Sequence, residues 1–146
     1  MIRDFEQGDM DQVVQIWLDA SIIAHDFIPE AYWKGKSEEM RELYLPNSKT
    51  FVYENEDAAL LAFISMKDHY IAALFVAPFE QGKGIGKQML DFVKQLYQNL
   101  ELDVYTENLN SVAFYKKHGF IIQEEGMEEG TGHKEYKMSY HSEEIQ

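Results

Sequence analysis

Cysteine is absent from the 146 residues. Disulfide bonds, thiolate metal sites and a cysteine nucleophile are therefore excluded. The absence suits a reducing compartment, and we expect a cytoplasmic protein with no bound metal.

Long apolar runs are also missing. No stretch approaches the 18 residues that would cross a bilayer, so we expect no contact with a membrane. The opening residues, Met1 to Phe5, lack a basic region followed by an apolar one, and no secretory signal is expected.

Positive charge is scarce, with 13 Lys and Arg against 26 Asp and Glu and a net charge of −13. Affinity for phosphate backbones depends on clustered Lys and Arg, so general nucleic-acid binding is excluded. The acidic balance, strongest in segment 124–146, has two interpretations: it attracts cationic partners, or it is a solvated face that aids solubility. An anionic ligand needs a local basic patch.

A core can be built from what is present, since 45% of the residues are hydrophobic and 14% aromatic. The length predicts one domain over 1–146 that buries about 70% of its extended surface. Monomer and homodimer both remain open.

The hydrophobic pattern predicts a mixed α/β fold with a largely antiparallel sheet. Strands are predicted at 2–5, 50–53, 58–66, 70–76, 100–106, 120–123 and 136–140. Helices are predicted from Asp9, as the cap, to the break at 25–30, and at 30–45, 84–97 and 110–118. The polar segment 124–134 is predicted as a loop. Strands 70–76 and 100–106 flank a helix, which predicts a parallel βαβ pair.

A glycine-rich loop, Gln81-Gly82-Lys83-Gly84-Ile85-Gly86-Lys87, joins a predicted strand to a predicted helix. Glycines at alternate positions leave backbone N–H groups free to turn toward one anion, and the helix adds its own free N–H groups. Lys83 and Lys87 supply positive charge. The loop therefore predicts a phosphate site, and a plain tight turn with exposed lysines is the alternative.

Two common phosphate loops do not fit. A P-loop needs Gly where Gln81 stands and Ser or Thr where Gln88 stands. The dinucleotide fingerprint fails because its third glycine would fall on Lys87 or Met89.

Leu74-Phe75-Val76-Ala77-Pro78, followed by the glycine loop, resembles the acetyl-CoA motif of the GNAT superfamily of N-acetyltransferases. The resemblance implies a GNAT fold, with six to seven strands in a mostly antiparallel sheet flanked by about four helices. It implies that main-chain groups of Leu74 and Val76 bind the pantetheine arm of acetyl-CoA as an added strand would, with Phe75 also in the cofactor site. It also implies that the pyrophosphate is held by Gln81, Gly82, Lys83, Gly84, Ile85, Gly86 and Lys87.

Asn108-x-x-Ser111-x-x-Phe114-Tyr115-x-x-x-Gly119-Phe120 is similar to a second motif of the same family, with Ser111 in place of the commoner alanine. The resemblance adds Asn108, Ser111, Phe114 and Tyr115 to the cofactor site. A helix cap is the alternative role for Asn108, and core packing is the alternative for Tyr115.

The implied reaction is direct attack of an amine on the thioester, with Tyr115 protonating the leaving thiolate as general acid. The resemblance places the oxyanion at the Val76 backbone N–H. The sequence leaves the acceptor open among antibiotics, polyamines, amino acids and peptide amines. The rival interpretation is a catalytically silent acyl-CoA-binding regulatory module, and Tyr115 favours the enzyme because binding alone needs no proton donor.

The acceptor ammonium must lose a proton before it attacks. His25 titrates in the useful range, although a lone histidine is also a common packing residue. By position, the candidate proton acceptors are Glu107, His25, Asp26, Glu30 and His133. The segment His25-Asp26-Phe27 resembles one in a small bacterial subgroup of the superfamily, and this resemblance implies that it forms the acceptor wall, with Glu107 as a further substrate-site residue.

Overall fold

The structure, a computed structural model, describes residues 1–142. Residues 143–146, the end of the acidic segment, lie outside the described part. The strands are β1 (Ile2–Asp4), β2 (Lys49–Glu54), β3 (Leu60–Lys67), β4 (Tyr70–Val76), β5 (Asn99–Tyr105), β6 (Ile121–Met127) and β7 (Lys134–His141). The helices are α1 (Met10–Ala24), α2 (Glu30–Gly35), α3 (Ser37–Glu39), α4 (Ile85–Leu96) and α5 (Leu109–Lys117).

The seven strands form one sheet in the order β1-β2-β3-β4-β5-β7-β6. Every neighbouring pair is antiparallel except β4 and β5, which the crossover through α4 makes parallel. The predicted mixed, mostly antiparallel sheet and its parallel pair are confirmed. None of the helices in residues 1–142 is long and apolar enough to cross a bilayer.

Both faces of the sheet are covered by helices. On one face α4 and α5 pack against the sheet, and α4 contributes Ile85, Met89, Leu90 and Val93. On the other face α1 and α2 pack against Phe63 of β3 through residues such as Trp17 and Trp33. Because β3 lies between two helical layers, its side chains are buried on both faces, which explains its nearly continuous apolar sequence.

The predicted helix over 30–45 is divided into short pieces. Helix α2 ends at Gly35, α3 covers Ser37–Glu39, and a π-helical turn covers Met40–Tyr44. Glycine is the weakest helix former after proline, which accounts for a break at this point. Only Trp33 of α2 and Met40 of the π turn are buried in these pieces, so the amphipathic pattern survives the break.

Two other local predictions were wrong. Strand β6 continues to Met127 instead of giving way to a loop at 124, because an exposed edge strand tolerates the polar residues there. Asp9 begins α1 without a side-chain cap. Its carboxylate instead accepts the Glu6 N–H at 2.8 Å and pairs with Arg3 at 2.8 Å, which ties the start of α1 to β1.

Candidate active site

Strands β4 and β5 are paired only at their beginning, at Tyr70 opposite Glu101. The register between β3 and β4 explains the separation. Met66 lies opposite Ile71 and Ser65 opposite Ala73, so one residue of β4 bulges out of the ladder. A bulge bends its strand and increases its twist, and here it turns β4 away from β5.

The separation opens a cleft of about 1140 Å³ through the middle of the sheet. Its floor is formed by the diverging strands, from Ile71 to Phe75 on β4 and from Leu102 to Tyr105 on β5. On one side the cleft is lined by Ser111 and Tyr115 of α5. On the other side it is lined by α1 and the residue after it, by α2, by the turn before β7 and by β7 itself, through Trp17, His25, Tyr32, Trp33, Glu128 and Glu135.

The cleft edge of β4 carries free main-chain donors. The N–H of Ala77 donates to the Leu61 carbonyl of β3 at 2.8 Å. Successive N–H groups of a strand alternate in direction, so the N–H of Phe75 also faces β3, whereas those of Leu74 and Val76 face the gap. An extended ligand in the gap can pair with them as an added strand would. The Phe75 ring packs on Phe63 at a centroid distance of 5.8 Å.

The glycine loop lies at the end of β4, after a short 3₁₀ turn at Pro78–Glu80. Gly82 and Gly84 have φ of 80° and 84°, a left-handed conformation that side chains with a Cβ rarely adopt. Among the described residues no side chain caps α4, and its first turn holds no acidic residue. The first N–H groups of α4 are therefore available to an anion.

Other residues fix this loop against the cleft. The Gln81 amide donates to the Val76 carbonyl at 3.1 Å, which ties the loop to the end of β4. The Phe114 ring lies 3.5 Å from where a Cβ on Gly86 would stand. The loop, the end of β4 and the second motif therefore meet at one place.

The two loop lysines are already paired with carboxylates. Lys83 contacts Glu80 at 3.1 Å and Lys87 contacts Asp91 at 2.7 Å. Exposed pairs of this kind contribute at most about 1 kcal/mol each, so a phosphate can compete for the ammonium groups. The main-chain N–H groups are therefore the stronger feature of the loop.

Asn108 joins the second motif to the break after α1. Its Oδ1 accepts the Ser111 N–H at 3.3 Å and caps α5, as predicted. Because Oδ1 is the acceptor in that bond, the side-chain amide nitrogen of Asn108 is the atom that faces His25, and it donates to His25 Nε2 at 3.3 Å. This network assigns the proton of the neutral His25 imidazole to Nδ1, which is buried with no partner in the described residues.

His25 is a buried, weakly basic side chain. Its ring packs against Trp33 and Tyr105 at centroid distances of 5.1 and 5.0 Å. Burial lowers the pKa of His25 to about 4, so the imidazole is neutral at pH 7. The residue lines the cleft, and its low pKa disfavours the predicted role as proton acceptor.

The buried imidazole makes a prediction about acid stability. In the unfolded chain His25 takes up a proton below about pH 6.5, whereas in the folded chain it does so only below a pH of about 4. The free energy of unfolding therefore falls as the pH is lowered between these two values. Between pH 7 and pH 5 we expect a loss of about 2 kcal/mol from this residue. Urea unfolding at both pH values should show a weaker pH dependence in His25→Phe. A variant at the exposed His69, His69→Gln, should keep the wild-type dependence, and equal dependence in His25→Phe would contradict the assignment.

Tyr115 lies on α5 and lines the cleft with only 8% of its surface exposed. Its ring is packed between Phe114 and Phe120, at centroid distances of 5.3 and 5.4 Å. Within residues 1–142 its hydroxyl has no hydrogen-bond partner. Burial raises the pKa of Tyr115, so the phenol keeps its proton across the physiological range.

The other predicted acceptor-site residues are not all brought together. Phe27 packs against Tyr105 at 5.6 Å and against His133 at 5.2 Å, beside the cleft. Glu107 is exposed and binds His133 Nδ1 at 3.1 Å. Asp26 is exposed and is not among the cleft-lining residues, and Glu30 pairs with Lys34 at 2.9 Å.

Several polar cleft residues were missed by the sequence analysis. The Tyr70 hydroxyl donates to Asp103 at 2.8 Å, across the point where β4 and β5 separate. The Tyr105 hydroxyl donates to Glu128 at 3.3 Å, and Glu135 lies opposite Tyr105 on β7. One signal was available in β5, where polar residues alternate with Leu100, Leu102 and Val104. Such alternation in a central strand indicates that its polar face meets a cavity.

No group of three or more His, Asp or Glu side chains in residues 1–142 is placed to hold a metal ion.

Comparison with known proteins identifies relatives along most of the chain. A family model described as "Acetyltransferase (GNAT) family" matches residues 10–120. The peptidyl-lysine N-acetyltransferase YiaC of Escherichia coli (strain K12) is 37% identical over 123 residues, which cover 84% of each protein. The peptidyl-lysine N-acetyltransferase YjaB of Salmonella typhimurium (strain LT2) is 29% identical over 121 residues, which cover 83% of each.

Solved structures share the fold. Apo-form YjaB from Escherichia coli has a TM-score of 0.86 and 24% identity, and the match covers 98% of each chain. The PaiA N-acetyltransferase from Thermoplasma acidophilum, solved in complex with coenzyme A, has a TM-score of 0.81 and 18% identity, covering 97% of this chain and 98% of that one.

Proposed function

Because this chain belongs to the GNAT acetyltransferase family, we propose that it transfers the acetyl group of acetyl-CoA to the side-chain amine of lysine in a peptide or protein. The chain is an acetyltransferase; the acyl donor, the acceptor and the residue roles are the proposal. A regulatory module without turnover is set aside, since its relatives are named as enzymes.

One observation carries the assignment of the donor: the free N–H groups of β4 lead directly into the free N–H groups of the glycine loop. The pantetheine arm, which has amides spaced along an extended chain, suits the cleft edge of β4 at the Leu74 N–H, which leaves the Val76 N–H for the thioester oxygen. The diphosphate suits the loop from Gln81 to Lys87 and the start of α4. In this arrangement Asn108, Ser111 and Phe114 flank the thioester end.

The acceptor is inferred from the charge of the opposite side of the cleft and from the names of the relatives. Asp103, Glu128 and Glu135 line that side, and they favour a cation. The aromatic rings of Tyr32, Trp33 and Tyr105 can enclose the methylene chain that separates a lysine amine from its backbone.

The proposed reaction uses residues from both faces of the sheet. The Val76 N–H donates to the oxyanion that forms when the amine attacks the thioester carbonyl. The C–S bond then breaks, and the buried Tyr115 phenol gives its proton to the departing sulfur. The proton released from the attacking nitrogen returns to the phenolate, so Tyr115 ends each cycle protonated.

The experiment that tests the acceptor compares matched peptides. Purified protein with acetyl-CoA should acetylate a lysine peptide, with release of one thiol per acetyl group, and should leave the same peptide with arginine in place of lysine unmodified. Mass spectrometry locates the acetyl group on the lysine side chain or on the N-terminus. Acetylation of the N-terminus alone, or of spermidine but no peptide, would overturn the acceptor assignment and leave acetyl transfer intact.

A further inference from the structure

The proposed reaction needs a group that takes a proton from the acceptor ammonium, and β4 has no ionisable side chain after Tyr70 to serve it. The carboxylates of β5, β7 and the turn between β6 and β7 line the acceptor side of the cleft. His25 lies beside them but is weakly basic, and its Nε2 is occupied by Asn108.

Within residues 1–142 four carboxylates line the cleft, and two of them, Glu128 and Asp103, are already engaged. Glu128 accepts the N–H groups of Gly130 and Thr131 at 2.8 and 3.0 Å, besides the Tyr105 hydroxyl. Asp103 accepts the Tyr70 hydroxyl. Burial acts to raise the pKa of Glu128, but the hydrogen bonds from Gly130, Thr131 and Tyr105 outweigh it and lower the pKa, so Glu128 takes up a proton less readily.

Glu129 and Glu135 have no ion pair or hydrogen bond to their carboxylates within residues 1–142. Glu129 is exposed in the turn before β7, whereas Glu135 is half-buried in β7. Glu135 lies directly opposite Tyr105, and Lys137 lies directly opposite Asp103. Residues opposite one another in a ladder project from the same face, so Glu135 shares the acceptor face with Asp103 and Tyr105. Tyr115 reaches the same cleft from the other face, on α5.

We propose that Glu135 is the general base that takes the proton from the acceptor ammonium, directly or through one water molecule. This inference rests on the proposed function of the cleft. The acid and the base then approach the reacting carbonyl from opposite faces of the sheet, through the gap between β4 and β5. The amine enters on the side of Glu135, and the sulfur leaves on the side of Tyr115.

The local charges suit this role. Burial raises the pKa of Glu135, and the negative charges of Asp103 and Glu128 raise it further, while Lys137 acts in the opposite direction. The phenols of Tyr70 and Tyr105, whose pKa values are raised by burial, stay neutral beside it. A carboxylate with a raised pKa is a better proton acceptor than an ordinary one at neutral pH.

The protons balance over the cycle. The ammonium gives one proton to Glu135, which passes it to solvent. The neutral amine forms the C–N bond and gives a second proton to the Tyr115 oxygen, replacing the one donated to the sulfur. One N–H remains in the product amide, and the thiol leaves with the other proton.

The test compares two acceptors that differ in amine pKa. One is a lysine peptide, and the other is the same peptide with thialysine, whose sulfur lowers the pKa of the amine. In Glu135→Gln we expect kcat/KM at pH 7 to fall about 10²-fold with the lysine peptide. With the thialysine peptide the factor of loss should be several times smaller. The rise of kcat/KM with pH that reports ionisation of Glu135 should disappear. Glu124→Gln removes the same charge from the exposed neighbouring strand β6 and should leave both rates unchanged.

Several results would overturn the inference. Equal losses with both peptides would indicate a structural role for Glu135, and no loss at all would remove it from the reaction. Wild-type protein that acetylates neither peptide would contradict the proposed function instead. In that case a carbon-13 NMR titration of the Glu135 carboxyl tests the inference independently. A pKa at or below that of an ordinary Glu would contradict the assignment of Glu135 as general base.

Discussion

Tyr115→Phe is expected to lower kcat by roughly 10²–10⁴-fold and to leave the dissociation constant of acetyl-CoA unchanged, because in the proposed reaction it removes only the proton that the departing thiolate receives. The phenylalanine ring keeps the packing between Phe114 and Phe120. The lost hydroxyl has no protein partner in the described part of the chain, so no buried group is left unsatisfied and the variant should fold as the wild type does.

Steady-state kinetics and calorimetric titration of acetyl-CoA measure the two quantities. Tyr53→Phe on β2 makes the same chemical change away from the cleft and serves as the control. Because burial raises the pKa of Tyr115, the wild-type kcat should show no decline from its ionisation below about pH 10. Wild-type turnover in Tyr115→Phe would remove this residue from the mechanism.

Gly84→Glu is expected to abolish binding of acetyl-CoA. The new side chain would bring a negative charge to the N–H groups at the start of α4, where the diphosphate is proposed to bind. It would also strain a residue whose φ is 84°. Calorimetry should detect no complex, at concentrations where the wild-type protein is saturated.

Two further variants separate charge from strain in that loop. Gly84→Asn adds a neutral side chain that tolerates the left-handed conformation, so it should weaken binding less than Gly84→Glu does. Gly8→Glu adds the same charge to an open position just before α1, which packs on the opposite face of the sheet from α4, and should not affect affinity. Full affinity in folded Gly84→Glu would refute the phosphate assignment.

The sequence predicted the parts of the structure that depend on local patterns. The meander β2-β3-β4, the helices α4 and α5 and the cap at Asn108 are each determined by residues close together in the chain. The two motifs were sufficient to indicate the family, because the residues of each motif are close together in the sequence.

The acceptor side of the cleft could not be predicted in the same way. Asp103 and Glu135 become neighbours only through the register between β5 and β7, and that register is a property of the assembled sheet. Asp26 and Glu107 are adjacent in sequence to cleft residues, but both side chains are exposed and neither lines the cleft. Sequence proximity was therefore a poor guide where the site is built from separate strands.

The loop lysines show a similar limit. Lys83 and Lys87 were predicted to give the site its charge, and the structure pairs each with a carboxylate one helical turn or less away. A sequence count of positive residues cannot show which of them are neutralised. The fixed main-chain donors of the loop carry no such compensation, so they can hold an anion in a molecule with a net charge of −13.

The bulge in β4 leaves a strand edge inside the protein, with donors that no other strand of residues 1–142 satisfies. On the proposed function, the pantetheine arm completes the sheet during each catalytic cycle and is lost again when the product leaves. Ligand that binds only the folded state adds RT ln(1 + [L]/Kd) to stability, about 2.7 kcal/mol at a hundredfold excess over Kd. The supply of acetyl-CoA would then govern the lifetime of this enzyme in a cell as well as its rate.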